Sequence, residues 1–252
     1  MYPIRAARIP RAPTCAVASS RSPLRFALAT LPMLATAPAF AQDLEFIDLD
    51  SSETVIGGIY AVVSSTGRFV EFGAPSLDAV YVRDRQLGVT ERVDLSSSGV
   101  PANSASLVGT DAGNAGAVST NGQLVLFESY ASNLVSNDTN VNWDLFLRDR
   151  VLDTTIRVSL GDNGQQSAGD GLGLFGGADV SDDWRYIVFS TMASGLVPGD
   201  VNGTWDVFRF DRQIGKSTLV SVSTSGGTGN WFSLAPAMSS DGRYVAFISA
   251  AS

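Results

Sequence analysis

The sequence predicts an all-β fold, a β-propeller of four-stranded antiparallel blades, with about three blades and the start of a fourth in the chain. Three observations predict it. One phrase recurs four times: Ser-Thr-Gly-Arg-Phe-Val-Glu-Phe (Ser65–Phe72) returns in variant form at Thr120–Phe127, Asp182–Phe189 and Ser240–Phe247. Its closing Phe residues fall at 72, 127, 189 and 247, steps of 55, 62 and 58 residues, the period of a blade-by-blade array. Beyond the N-terminal leader, no segment carries a 3.6-residue apolar rhythm.

Residues 1–41 read as a signal peptide. Arg5, Arg8, Arg11, Arg21 and Arg25 form a basic leader without an acidic residue, and Phe26 to Ala37 is an apolar stretch too short for a stable membrane anchor. Ala39-Phe40-Ala41 supplies the small-x-small cleavage pattern, so the exported chain is expected to begin at Gln42, in the periplasm or outside the cell, with no stable membrane insertion after cleavage. Cys15 leaves with the leader, and the sequence contains no histidine. Residues 42–252 therefore hold no disulfide, no thiol nucleophile, no His metal ligand and no Ser-His-Asp triad. Twelve basic residues then face twenty-five acidic ones, a balance of −13 that argues against nucleic acid as a partner.

Each repeat is built the same way. A Ser and a turn with Gly67, Gly122 or Gly242 precede a strand that is apolar on consecutive positions, such as Tyr186-Ile187-Val188-Phe189. Glycine suits that turn because it reaches positive φ without steric cost. Trp184 replaces it in the third copy, so a different or more tolerant turn is expected there. A strand apolar on both faces belongs between two packed layers, which neighbouring blades supply. A second strand follows and ends in Asp-Arg (Asp84/Arg85, Asp149/Arg150, Asp211/Arg212), then a Thr- and Val-rich third strand. Polar connectors such as Ser96–Ser106, Gly161–Gly171 and Thr224–Phe232 lead onward, placing repeats near 60–114, 115–176, 177–235 and 236–252.

Ser-Asp-Gly-Arg-Tyr-Val-Ala-Phe, followed by Asp-Val-Phe-x-x-Asp-Arg and Thr-x-x-Val-Ser, resembles the WD-like repeat of TolB-type β-propellers, from about Phe46 onward. The resemblance implies four-stranded blades around an axis and makes Phe46–Asp50 a lone outer strand of a blade completed elsewhere. Propellers close with four to eight blades, and Ser252 falls five residues after the fourth Phe, so the sequence is expected to be a fragment of a longer exported protein.

The second and third repeats carry a ten-residue insert that the first lacks. Asp138, Asn140, Asn142 and Asp144, and then Asp200, Asn202 and Asp206, place oxygen side chains at alternate positions, as in the first half of a calcium loop. The competing reading is a polar hairpin, for which Asn202-Gly203 is itself a strong turn signal. The Asp-Arg pairs recur in every blade and are expected to be structural, an Asp closing a turn and an Arg packing along the rim. Trp143, Trp205 and Trp231 are candidates for carbohydrate stacking or for blade packing. No catalytic residue and no certain cofactor is assigned. Three functions stay open: a non-enzymatic exported scaffold binding a protein or small ligand, the substrate-gating propeller of a larger hydrolase such as a prolyl-oligopeptidase-like peptidase, and a calcium-stabilised secreted repeat protein.

Overall fold

The computed structural model describes residues 50–52, 54–110, 113–114, 116–161, 164, 166, 177–200, 202–224 and 226–251. The expected leader, its cleavage site and Phe46–Leu49 lie outside the described residues, as does most of the Gly161–Gly171 connector.

The first blade is β1 (Ile59–Val63), β2 (Phe69–Ala74), β3 (Ala79–Asp84) and β4 (Val89–Arg92), hydrogen-bonded in that order, with a 3₁₀ turn at Pro75–Leu77 between β2 and β3. In the second, the short strands β5 (Ser106–Leu107) and β8 (Ala117–Val118) both pair with β9 (Leu124–Ser129). The small hairpin β6 (Gly109–Thr110) and β7 (Gly113–Asn114) lies between them in sequence, and β10 (Asp144–Asp149) and β11 (Thr154–Arg157) complete the blade. The third is β12 (Ala178–Val180), β13 (Tyr186–Thr191), β14 (Asp206–Asp211) and β15 (Lys216–Leu219). A fourth sheet pairs β16 (Ser233–Met238) with β17 (Val245–Ser249). Every pairing is antiparallel. The propeller-type blade array expected from the repeat is thus present.

The core lies between blades. On β9, Val125 and Phe127 pack against Phe69, Val80 and Val82 of the first blade, whereas Leu124 and Leu126 pack against Trp184, Ile187 and Phe189 of the third. Both faces of β9 are buried, which is why its residues are apolar in succession rather than in alternation. Cross-strand aromatic pairs recur at one register: Phe72–Tyr81, Phe127–Phe146 and Phe189–Phe208, with ring centroids 5.8, 5.8 and 5.9 Å apart.

The recurrent Ser closes the turn before each long strand. The hydroxyl oxygens of Ser64, Ser119, Ser181 and Ser239 accept the backbone N–H five residues on, at 3.1, 2.9, 3.0 and 3.0 Å. The residue three after each Ser donates back to its carbonyl, and its φ is positive: +71° at Gly67 and Gly122, +59° at Trp184, +68° at Gly242. The turn at Trp184 is therefore the same turn, with a bulky residue in a region such residues avoid. Packing explains the exchange. A Cβ on Gly122 would lie 2.5 Å from the Phe69 ring of the preceding blade, and one on Gly242 would lie 2.4 Å from Tyr186. The preceding blade presents Leu124 at that position beside Trp184, and both are buried in one cluster. Gly under an aromatic ring becomes Trp beside Leu.

Connectors tie each blade to the next. Ser97 accepts from the N–H of Thr155, and Arg148 donates to the Ser96 carbonyl at 3.2 Å. Ser51 and Thr90 exchange the same bonds, with Arg83 reaching the Asp50 carbonyl. Asp50 and Ser96 also start equivalent turns, their N–H groups donating to Thr54 and Val100.

One buried group breaks the pattern. Glu71 occupies the position of Leu126 and Val188, is fully buried, and neither carboxyl oxygen has a hydrogen-bond partner. Burial pushes its carboxyl well above the ordinary range, which favours the neutral acid.

Two outcomes follow. Trp184→Gly relieves the backbone but empties the space beside Leu124, so we expect a loss of roughly 3–5 kcal/mol by urea denaturation; adding Leu124→Phe, which rebuilds the first-blade arrangement, should recover much of it. For Glu71, the folded carboxyl titrates above the unfolded one, so its contribution is most favourable below the unfolded pKa and is lost as pH rises toward the folded value. Glu71→Leu should therefore stabilise by about 1–3 kcal/mol at neutral pH, with the gain shrinking toward pH 4. A gain equal at both pH values would show that the carboxyl stays charged.

Candidate functional site

The inserts are hairpin loops between the second and third strands of blades two and three. Both use the same two left-handed points: Asn137 (φ +62°) and Val141 (+53°) in one, Gly199 (+89°) and Gly203 (+65°) in the other. Asp144 and Asp206 begin β10 and β14 and are buried.

In the second blade, Asp138, Asn140 and Asp144 come together around one cation. The Arg157 Nη1 reaches Asp138 at 3.2 Å and Asp144 at 3.0 Å, with the Arg and both carboxylates buried. Asn140 donates to Asp144 Oδ2 at 3.2 Å, and Ser159 Oγ donates to Asp144 Oδ1. Gln166 closes the group, accepting from the Thr139 N–H at 2.9 Å and from Arg157 at 3.3 Å. Burial raises the Asp138 carboxyl against the pull of Arg157, with Asp144 adding to the rise. Asn142 lies half-buried just before Trp143. A cleft of about 530 Å³ opens beside this cluster, lined by Asn137, Ile156, Arg157, Leu160 and Gln166 among others.

In the third blade, Asn202 donates to Asp206 Oδ2 at 2.6 Å and to the Gly229 carbonyl at 3.0 Å, while Ser221 Oγ donates to Asp206 Oδ1 at 2.6 Å. Thr204 serves the loop through its N–H, which donates to Asn202 Oδ1 at 3.1 Å. Asp200 is 6% exposed, and burial followed by the charge of Asp206 pushes its carboxyl up to about 6.

The first blade, without the insert, moves its carboxylate to another strand. Ala79 stands where Asp144 and Asp206 stand. Asp94 takes the position of Ser159 and Ser221, accepting from the Val80 N–H at 3.3 Å as those hydroxyls accept from Leu145 and Val207. Arg92 holds Asp94 through two bonds of 2.8 and 2.9 Å. Burial still raises the Asp94 carboxyl overall.

The Asp-Arg pairs are structural. Asp84, Asp149 and Asp211 each accept backbone N–H bonds from the turn that follows and a side chain from the neighbouring strand: Arg68, Gln123 and Arg185. The Arg68 and Arg185 contacts hold the Asp84 and Asp211 carboxyls below their ordinary range. Arg85 and Arg150 do not merely pack; each donates to the turn carbonyl of Gly67 or Gly122. Trp143 packs edge-on to Tyr130 at 5.9 Å, Trp205 is half-buried, and Trp231 is exposed.

A second concavity lies at the turn ends of the blades. A cleft of about 590 Å³ is lined by Asn121, Gln123, Asp149, Asp182, Asp183 and Arg212. A neighbouring one of about 430 Å³ shares Ser119, Thr120, Asp182 and Trp184 with it. No group of three or more acidic or Cys side chains suited to a metal ion occurs among the described residues, and no helix among them is long and apolar enough to cross a membrane.

No family model and no curated protein matches the sequence. Among solved structures, the chain is similar to TolB from Acinetobacter baumannii (TM-score 0.46, 16% identity, 77% of this chain and 38% of that one). It is also similar to a putative TolB from Agrobacterium tumefaciens (0.44, 16%, 73% and 51%) and to the tricorn protease (0.45, 13%, 75% and 15%). The matches thus span 38% and 51% of the two TolB chains.

Val141 is a β-branched residue at positive φ with its side chain 68% exposed, so it carries backbone strain without compensating burial. Val141→Gly, the residue of the third blade, should raise stability by about 1 kcal/mol, read as a shift in the urea midpoint at constant slope.

Proposed function

We propose that the chain is an exported, non-enzymatic propeller scaffold that binds a protein or a small ligand at the turn ends of its blades. The observation that carries this reading is the cleft between the second and third blades, where polar side chains are presented on turns locked by their own hydrogen bonds. Asn121 and Asp183 are held by their bonds to Ser119 and Ser181, and exposed Asp182 donates its N–H to the Ser240 carbonyl of the next turn. Loops fixed on a rigid scaffold are where binding function concentrates. The acidic rim suits a partner rich in donors or positive charge.

The residues lining this cleft include neither histidine nor cysteine, so they form no Ser-His pair and no thiolate. Chemistry there would come from a second component, which is the setting of the alternative reading, a propeller gating substrate for a hydrolase.

The test is affinity capture from cell-envelope extract on the immobilised chain, compared with Asp182→Arg. A partner retained by the wild type and reduced at least about tenfold by the variant at unchanged Tm supports the scaffold, since reversal of a rim charge weakens a complementary complex. Equal recovery on both sinks it, and retained material that hydrolyses model peptides selects the gating reading.

A further inference from the structure

The three blades treat one register position differently. Arg92 on β4, Arg157 on β11 and Leu219 on β15 stand opposite Tyr81, Phe146 and Phe208, the aromatic residues of the recurrent stacked pairs. In the first blade that arginine neutralises buried Asp94, and in the second it bridges Asp138 and Asp144. The third blade keeps both carboxylates, Asp200 and Asp206, at the same places in its insert, but its residue at the arginine position is apolar.

Among the described residues no ion pair reaches Asp200 or Asp206. Asp206 is 1% exposed and receives only neutral donors, Asn202 and Ser221. Asp200 is 6% exposed, and no hydrogen bond to its carboxylate occurs among the described residues. Its loop repeats the geometry that carries Asp138 to Asp144, with left-handed points at Gly199 and Gly203 and the Asn202 amide on Asp206 as Asn140 is on Asp144. Two carboxylates in a partly dry site repel each other and lose hydration, which a positive charge between them reverses. The molecule itself supplies that charge in the second blade.

We propose that Asp200 and Asp206 bind an oxygen-preferring divalent cation, calcium, in the place that the Arg157 guanidinium takes in the neighbouring blade. The two carboxylates would be the charged ligands, with the Gly229 carbonyl and water as neutral ones, the all-oxygen set that calcium prefers; the Asn202 amide oxygen is held by the Thr204 N–H. The second insert, read from its residues alone as an equal candidate, is thereby assigned to its own arginine, and only the third blade is left to take an ion. This inference does not rest on the scaffold reading, because the ion lies in the insert rather than in the turn-end cleft.

The experiment is isothermal titration of calcium chloride into chelator-treated full chain at constant ionic strength, with Tm measured in parallel. Wild type should show one site with Kd roughly 10⁻⁴ to 10⁻³ M, as for low-charge extracellular sites, and a Tm rise of a few degrees at about 10 mM calcium. Leu219→Arg, which copies the second blade, should abolish both responses while leaving Tm in chelator at or above the wild-type value. Asp200→Asn, nearly isosteric, should weaken binding at least about tenfold. Absence of heat and of a Tm shift in the wild type overturns the proposal, as does a wild-type calcium response in Asp200→Asn, which decides the matter even where Leu219→Arg does not fold.

Discussion

The constraint on which the rest depends is that a blade has no outside face of its own. β2, β9 and β13 are buried on nearly every residue, so each sheet needs a neighbour on both sides before it can leave water. A fully buried Phe or Leu contributes roughly 1.5–3 kcal/mol, whereas one backbone or hydroxyl hydrogen bond nets about 1 kcal/mol. The inter-blade layers therefore dominate the energetics, and the turns and Asp-Arg pairs set the register in which those layers meet. The exposed positions of β1 and β17 mark the ends of the described array.

Within that constraint, departures from the repeat come in compensated pairs. Trp184 enters a left-handed turn where Leu124 makes room for it. The carboxylate of the insert blades shifts to Asp94 in the first blade and takes Arg92 with it. Glu71 gains no charged or hydrogen-bonding counterpart for its carboxyl oxygens among the described residues. It stands where the other blades have an apolar residue, its carboxyl is pushed up by burial, and a Cβ on Gly116 would lie 3.2 Å from Glu71 Oε2.

Much of this was legible in the residues. Consecutive apolar positions identified the doubly buried strands, and recurrence in every blade identified Asp84, Asp149 and Asp211 as turn-closing groups. Trp184 was visible as an exception, but its solution lay 60 residues away, in the size of a side chain on another blade. The insert was legible as a group of oxygens and not as a site. Arg157 and Ser159 lie on the following strand, and only the pairing of β10 with β11 carries them to Asp138 and Asp144. Aligning the third strands of the three copies would have exposed the Arg, Arg, Leu series, but its meaning required the register.

The bonds between a connector and the outer strand of the next blade have a consequence for how such a chain varies over evolutionary time. Ser96–Ser97 and Asp50–Ser51 perform the same task for successive blades, so removing or duplicating one entire unit would leave every type of junction intact. Removing part of a unit would leave an outer strand without its clasp and a core face without its lid. Length changes then fall in two classes: whole blades can be gained or lost, and smaller insertions fall in loops such as the hairpins between second and third strands. Those hairpins are among the places where the blades already differ, and on the outer strand beside them one unit carries leucine where the other two carry arginine, a change of charge made with the strand register kept in step.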